Sequence, residues 1–378
     1  MKLNKAVAFG AAVGVALAGI AFSAPASAEP VTGTYSITGS DTLQDVINAL
    51  TNGTNVTTSP VRVVSNGGPV GNFDAFGGAL IQAKPFGPIF QRPNGSSAGR
   101  DSLRASMSGN NWGPIVTLPV RPIPGQVDIA RTSSAPPAAE ISANGRLLYV
   151  PFGRDAVSYA YKLAAGVVAP AGIDTLTTAQ LTAFYNGTVT TLGGTTVVPR
   201  LPIFSSGTRQ FFQLAIGVPN ASLGSGIDAA SAGVPENDAN QLNPAPNTIQ
   251  IIPFSVAQWV AQSNGVANSD STLSPGAVFG SANGIAPFTG TRPNLVPAPA
   301  FYSAAPFGRD TYLIVEAARV LDPAALTYDA GLAALMNPAL ARSLTNFSSG
   351  PTTAGAVKRI FGFLPVASTT PIRAYPNG

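Results

Sequence analysis

The pentapeptide Pro-Phe-Gly-Arg-Asp occurs twice, at residues 151–155 and 306–310, and each copy leads into a strand-like run, "AVSYAYKL" and "TYLIVEAA". Two equivalent entries into strands, so far apart in sequence, constrain the layout. They read as two crossings between lobes, with the chain leaving a first lobe at one and returning to it at the other. The expected division is residues 29–153 and 310–378 for the first lobe and 154–309 for the second. A cleft between lobes is the usual place for a ligand. Five residues alone can recur by chance in a chain with 40 glycines and 34 prolines, so the order of elements has to agree with this layout.

That order alternates. Apolar or β-branched strand-like runs fall at residues 61–64, 115–120, 147–150, 195–198, 249–252 and 312–315. Helical patterns fall at 43–50, 101–107, 178–185, 210–216, 256–262 and 338–345, the last with Asn337 and Pro338 placed as cap and first helical residue. Strands alternating with helices predict an α/β architecture. Glycine and proline make up roughly a fifth of the chain, against an average of about 12%. They are interleaved with apolar segments, so the composition reads as loop-rich globular.

The first residues read as a secretory signal peptide, residues 1–28. Lys2 and Lys5 form a basic start, residues 6–22 an apolar core, and Ala26-Ser27-Ala28 a cleavage site. The mature protein is then expected to be secreted, soluble and without membrane insertion. Cleavage removes two of the 21 basic residues and none of the 17 acidic ones, lowering the net charge from +4 to +2. So weak and scattered a charge argues against nucleic acid as a partner.

There is no cysteine and no histidine. The first absence excludes disulfides, a thiolate nucleophile and a lipid-anchored cysteine after the signal. The second removes the commonest general base and metal ligand, and with them every Ser-His-Asp arrangement. A carboxylate-only hydrolase stays conceivable but has no nucleophile motif to support it. The expectation is a non-enzymatic protein with neither cofactor nor metal.

Three hydroxyl-rich turns share one design. Gly39, Ser40, Asp41 and Thr42 precede the amphipathic "LQDVINAL"; Gly95, Ser96 and Ser97 precede "AGRDSLRASM"; Ser205, Ser206, Gly207 and Thr208 precede "RQFFQLAIG". At a helix start the first N–H groups lack intrahelical partners. Ser, Thr or Asp can cap them, and the positive end of the helix dipole favours an anion. Any one such turn reads as a cap. Three of them, with Arg131 and Ser133 in "ARTSSAP", point to convergence on one anion. Asp41 complicates that reading, because a carboxylate there either caps its own helix or repels an anion unless an arginine answers it.

In these stretches the chain resembles the phosphate-type solute-binding proteins of ABC importers, in particular an exported branch from high-GC Gram-positive bacteria. The matching segments are "GSDTLQDVINAL", "RPNGSSAGR", "VDIARTSS", "FGRDAVSYA", "LTTAQLTAFYNGTV", "SSGTRQFF", "IIPFSVAQWVAQSNG" and "FLPV". They run in the family's order over most of the mature chain. The resemblance implies the two-lobed type II periplasmic-binding-protein fold. It also implies capture of a small oxyanion such as phosphate for an ABC permease by a monomeric binding protein. It places Thr42 with its neighbour Leu43, then Ser96, then Ser206-Gly207-Thr208 around the anion, so the third turn reads as a cradle.

The sequence departs from the family pattern at two points. The family's Arg-x-Asp before Ser-Gly-Thr is Pro202-Ile203-Phe204 here, and its proton-accepting Asp falls on Ser133. Arg209, next to the third turn, is the first candidate to supply the missing guanidinium, and Arg131 the second. The candidate binding set is therefore Ser40, Asp41, Thr42, Gly95, Ser96, Ser97, Arg131, Ser133, Ser206, Gly207, Thr208 and Arg209. Glu236 and Asp238 in "PENDAN" read as a solvated loop, with a cleft-facing Glu236 bonded to Arg209 as the less favoured alternative. Trp259 reads as core, with stacking on a sugar as its alternative. An exported surface or matrix protein that keeps the fold without high-affinity binding is the competing function. A filled cleft would favour it.

Overall fold

The computed structural model describes residues 32–225, 227, 234–267 and 274–377. The expected signal peptide lies outside these residues. The protein is a two-lobed mixed α/β structure whose sheets share one strand. That strand, β4 (Leu147–Leu163), contains 17 residues and so runs about 55 Å at the usual rise.

The first half of β4 belongs to one sheet. It pairs antiparallel with β9 (Gly308–Glu316) and, at Leu147 to Tyr149, with β10 (Ile372–Ala374). Beyond β9 lie β3 (Ile129–Thr132), then β1 (Ser36–Gly39) and β2 (Gly71–Asn72), the last two parallel additions. The second half of β4 pairs antiparallel with β7 (Thr248–Ser255) and β8 (Ala277–Gly280). From β7 the second sheet continues through β6 (Thr195–Pro199) to β5 (Thr191–Leu192).

Side-chain alternation builds the first lobe on both faces of its sheet. Leu148, Val150, Leu313 and Val315 point into one core, under α1 (Gln44–Asn52) and α6 (Ala354–Ile360). Leu147, Tyr149, Tyr312 and Ile314 point into the other, beneath α2 (Ser96–Ser108). The second lobe has its own core. Tyr159, Ile251 and Phe254 there meet Leu181 and Tyr185 of α3 (Thr178–Tyr185) and Phe212 of α4 (Gly207–Ala215). Trp259 of α5 (Val256–Ser263) is buried against Phe254 and Phe279, so its ring is core.

The two pentapeptides lie side by side on β4 and β9. Arg154 faces Asp310 and Asp155 faces Arg309 across the ladder. Each arginine reaches the other copy's aspartate, at 3.0 Å for Arg154–Asp310 and 2.8 Å for Arg309–Asp155.

Three expected elements are corrected. Residues 61–64 form no strand of their own: Val61 makes one isolated bridge to Thr54, and a two-residue strand begins only at Val64 and pairs with Gly68–Pro69. Residues 115–120 form no strand, because Gln91 takes their backbone instead, donating to the carbonyls of Ile115 and Leu118 and accepting from the Ile115 N–H. Their apolar side chains stay outside, with Val116 94% exposed. Residues 338–345 form successive turns, Leu340 to Asn337 and Ser343 to Leu340. Leu344 is buried there while Leu340 is exposed, so the segment has no apolar stripe to hold a helix on the core.

Candidate anion site

The three hydroxyl turns meet where the lobes touch. The first follows β1, where Ser40 accepts from the Thr42 N–H and caps a single 3-10 turn, Asp41–Leu43. The second opens α2, whose first residue is Ser96. The third opens α4, where Ser206 caps the helix by accepting from the Arg209 N–H at 3.0 Å. Thr42 and Thr208, from opposite lobes, bring their hydroxyls to 3.3 Å. Ser96 lies 3.3 Å from the Ser133 hydroxyl and also accepts from the Ser133 N–H at 3.0 Å. Ser97 donates its N–H to the Ser205 carbonyl at 3.2 Å.

Glycine makes this approach possible. A Cβ on Gly207 would sit 2.2 Å from the Ser96 hydroxyl and 2.4 Å from that of Ser133. Gly95 has φ +84° and comes so close to Ser205 that a Cβ would lie 2.5 Å from its carbonyl oxygen. Toward solvent the site meets, at Ser96, a cavity of about 610 Å³ lined from both lobes, by Arg100 and Pro137 on one side and Phe211 and Leu214 on the other.

The centre of the cradle holds a carboxylate of the chain itself. Glu236 is only 1% exposed, so it is not part of a solvated loop. Its Oε1 accepts from the Ser40 hydroxyl at 2.8 Å, and its Oε2 accepts from the Ser206 hydroxyl and, at 3.3 Å, from the Thr208 N–H. Hydroxyls of both lobes and a helix N-terminus thus converge on one negative group. Burial penalises the Glu236 charge, but hydrogen bonds from Asp41, Ser206 and Ser40, with the field of Arg309, outweigh it and lower the pKa. Asp41 moves the other way. Burial, then the neighbouring Glu236 charge and the hydrogen bond to it, raise its pKa well above the ordinary value. Asn237 completes the group by donating to Asp41 at 2.9 Å and to the Thr42 hydroxyl at 3.2 Å.

The arginine at this site is Arg309. Its Nη2 donates to the Thr208 hydroxyl at 3.0 Å, while Nε and Nη2 grip Asp155 Oδ2. Asp155 is fixed in turn by the Ser255 hydroxyl and the Ala257 N–H at the start of α5. The Nη1 of Arg309 is buried and has no hydrogen-bond partner among the described residues.

The expectation for Arg209 is corrected. Its guanidinium lies behind α4, donating to the Pro202 carbonyl, Asn220 and Gln213, and stacks 4.0 Å over the Phe204 ring. One residue along a helix turns a side chain by about 100°, so the neighbour of Thr208 cannot share its direction. Glu236 is therefore cleft-facing but held by serines, not by Arg209. Arg131 is fully buried beneath the first turn and donates to the carbonyls of Ser40 and Gly39 and to Asn72. It shapes the turn rather than facing the cradle, and burial lowers its pKa to about 10.

Sequence reasoning missed Arg309 and Asp155 as site residues. The signal for both is the repeated Arg-Asp of the pentapeptide, which carries the lobe layout as well.

No protein-family model matches the chain, and no curated protein matches it. Solved structures do resemble it. An ABC-type phosphate transport receptor from Vibrio cholerae shares 15% identity over 75% of this chain and 86% of its own, with a TM-score of 0.41. A phosphate-binding protein from Stenotrophomonas maltophilia shares 13% over 91% and 92%, with a TM-score of 0.41. An ancestral soluble variant of the human phosphate-binding protein shares 14% over 88% and 90%, with a TM-score of 0.45. At such identities and TM-scores these likenesses assign no ligand to this chain, whose fold class and cradle rest on its own strands, turns and hydrogen bonds.

Proposed function

We propose that the chain is an exported, monomeric solute-binding protein whose lobes close on a small oxyanion, phosphate or a relative, for delivery to an ABC permease. It would belong to the exported high-GC Gram-positive branch of the phosphate-type binding proteins, with residues 1–28 removed as a signal peptide. The proposed lobes are residues 29–153 with 310–378, and 154–309. The proposed contacts are Ser40, Thr42, Ser96, Ser133, Ser206, the N–H groups of Gly207 and Thr208, and Arg309. Gly95 and Ser97 hold the second turn against the opposite lobe, and Arg131 supports the first turn from behind.

The observation that carries this reading is the chemistry gathered around Glu236. Hydroxyl and N–H donors from both lobes point at one oxyanionic group beside a buried arginine with a spare N–H. A closed, buried set of donors of this kind is what recognition of a small oxyanion needs. The chain offers no histidine or cysteine for chemistry on such a ligand, so the reading is capture, not turnover.

The buried position of Glu236 favours a second reading, in which an exported surface protein keeps the fold and its cradle stays satisfied internally. Calorimetric titration of residues 29–378 with phosphate, sulfate and phosphonates separates the two. Saturable binding that is lost in Thr208→Val supports the first reading. No heat at millimolar ligand, with the fold intact, refutes it and leaves the second.

A further inference from the structure

Glu236 occupies the cradle but does not use all of it. A carboxylate has two oxygens, and both are satisfied here, by Ser40 on one side and by Ser206 with the Thr208 N–H on the other, with a further hydrogen bond from Asp41. Around them stand donors turned on one another. The Thr42 and Thr208 hydroxyls pair at 3.3 Å, those of Ser96 and Ser133 pair at 3.3 Å, and Arg309 Nη1 is left without a partner among the described residues. The receptor therefore offers more donors than its occupant accepts. A tetrahedral oxyanion, with four oxygens in three dimensions, would match that surplus better than a planar carboxylate.

The segment carrying Glu236 is fastened at its edges. Val234 accepts from the Ile203 N–H at 3.1 Å, and Asn237 holds the Ser255 N–H and accepts from Gln262 at 2.8 Å. The carboxylate is thus presented to the cradle as an intramolecular ligand, at an effective concentration that a free anion has to exceed.

Taking the cradle as an oxyanion site, we propose that Glu236 is its resident ligand and that an external oxyanion enters only by displacing it. Glu236 then sets the affinity and the selectivity of the site. It leaves for a tetrahedral oxyanion that can engage the surplus hydroxyls and Arg309, and it holds its place against a small carboxylate such as acetate, which offers nothing it does not already supply.

The test is calorimetric titration of wild type, Glu236→Ala and Glu236→Gln with inorganic phosphate, sulfate and acetate at fixed pH and salt. Removing an intramolecular competitor should tighten phosphate and sulfate binding tenfold or more in Glu236→Ala. It should also open the site to acetate, which wild type refuses. Glu236→Gln keeps the size and loses the charge, so it covers the case in which the alanine variant does not fold, and it should tighten phosphate severalfold. A readout that needs no mutation is amide exchange in wild type, which should quicken over residues 234–241 when phosphate saturates. Equal or weaker phosphate binding in both variants, or unchanged exchange in phosphate-bound wild type, overturns the displacement while leaving oxyanion binding intact. Failure of all three proteins to bind any oxyanion overturns the site reading itself.

Discussion

Replacing Arg309 by alanine should be far more damaging than the same change at Arg154, although the two arginines sit in identical pentapeptides and each pairs with the other's aspartate. The side chains of Arg309 and Asp155 are 2% and 0% exposed, whereas those of Arg154 and Asp310 are 23% and 17% exposed. Without Arg309 the Asp155 carboxylate stays buried with only the Ser255 hydroxyl and the Ala257 N–H to hold it. Removing one partner of a buried pair costs about 3–5 kcal/mol, because the remaining charge is left uncompensated. The partly exposed Arg154 pair should cost about 1 kcal/mol, since water can take over from the lost partner. Urea unfolding of both single variants measures the difference. The double variant Arg309→Met, Asp155→Asn should recover most of the loss, as no charge is then stranded. Phosphate affinity should fall about ten- to a hundredfold in every variant lacking Arg309, the worth of one charge-assisted hydrogen bond of about 1.5–3 kcal/mol. Equal losses for Arg154→Ala and Arg309→Ala would refute the burial argument, and full phosphate affinity without Arg309 would remove it from the site.

Asp41→Asn tests the carboxyl pair. A carboxyl with a raised native pKa weakens the fold as pH climbs above about 4, because the unfolded chain releases its proton first. The variant should therefore melt higher than wild type at pH 7 and alike near pH 4, and parallel melting curves across that range would show that Asp41 is not raised. Gly207→Ala should push the lobes apart at Ser96 and Ser133, giving a larger radius of gyration by small-angle scattering, loss of phosphate binding and an unchanged circular dichroism spectrum. Unchanged dimensions and binding would mean that the approach at Gly207 yields easily. Arg209→Ala should leave phosphate affinity within about twofold while costing about 1–3 kcal/mol in urea unfolding, through the carbonyl and amide groups it leaves unsatisfied; a tenfold affinity loss would return Arg209 to the site.

The hydroxyls of the cradle were legible because each is a local signal. Ser40, Ser96 and Ser206 stand beside glycines just before apolar periodic runs, and helix starts are written in adjacent residues. The long strands at residues 147–150 and 312–315 were legible through their β-branched and aromatic content. The charged half of the site was not, because it is assembled across the sequence. Arg309 meets Asp155 only after two distant strands take up register, and Ser40 meets Glu236 across 196 positions. "PENDAN" has the composition of a surface loop, and nothing within it announces that hydroxyls elsewhere would cover its glutamate. The misread segments at residues 115–120 and 338–345 share the converse cause: their apolar side chains stay outside or, like Leu344, reach the core singly and not as a stripe.

The strand shared by both lobes also decides how this molecule can move. Lobes joined by slack connectors swivel freely; here the connection is the ribbon of β4 and β9, zipped by its own ladder and clasped by two ion pairs. Such a ribbon behaves as a leaf spring, with stiffness spread along its length and a soft spot where the ladder slips. That slip lies between Pro151 and Gly153, within the first pentapeptide and next to the Arg154–Asp310 clasp. Flexing the spring there tilts the segment that carries Asp155 and, through it, Arg309 and Thr208. In the proposed site, the strength of the grip on an anion and the bend of the spring would then be one mechanical variable, read at opposite ends of a single arginine.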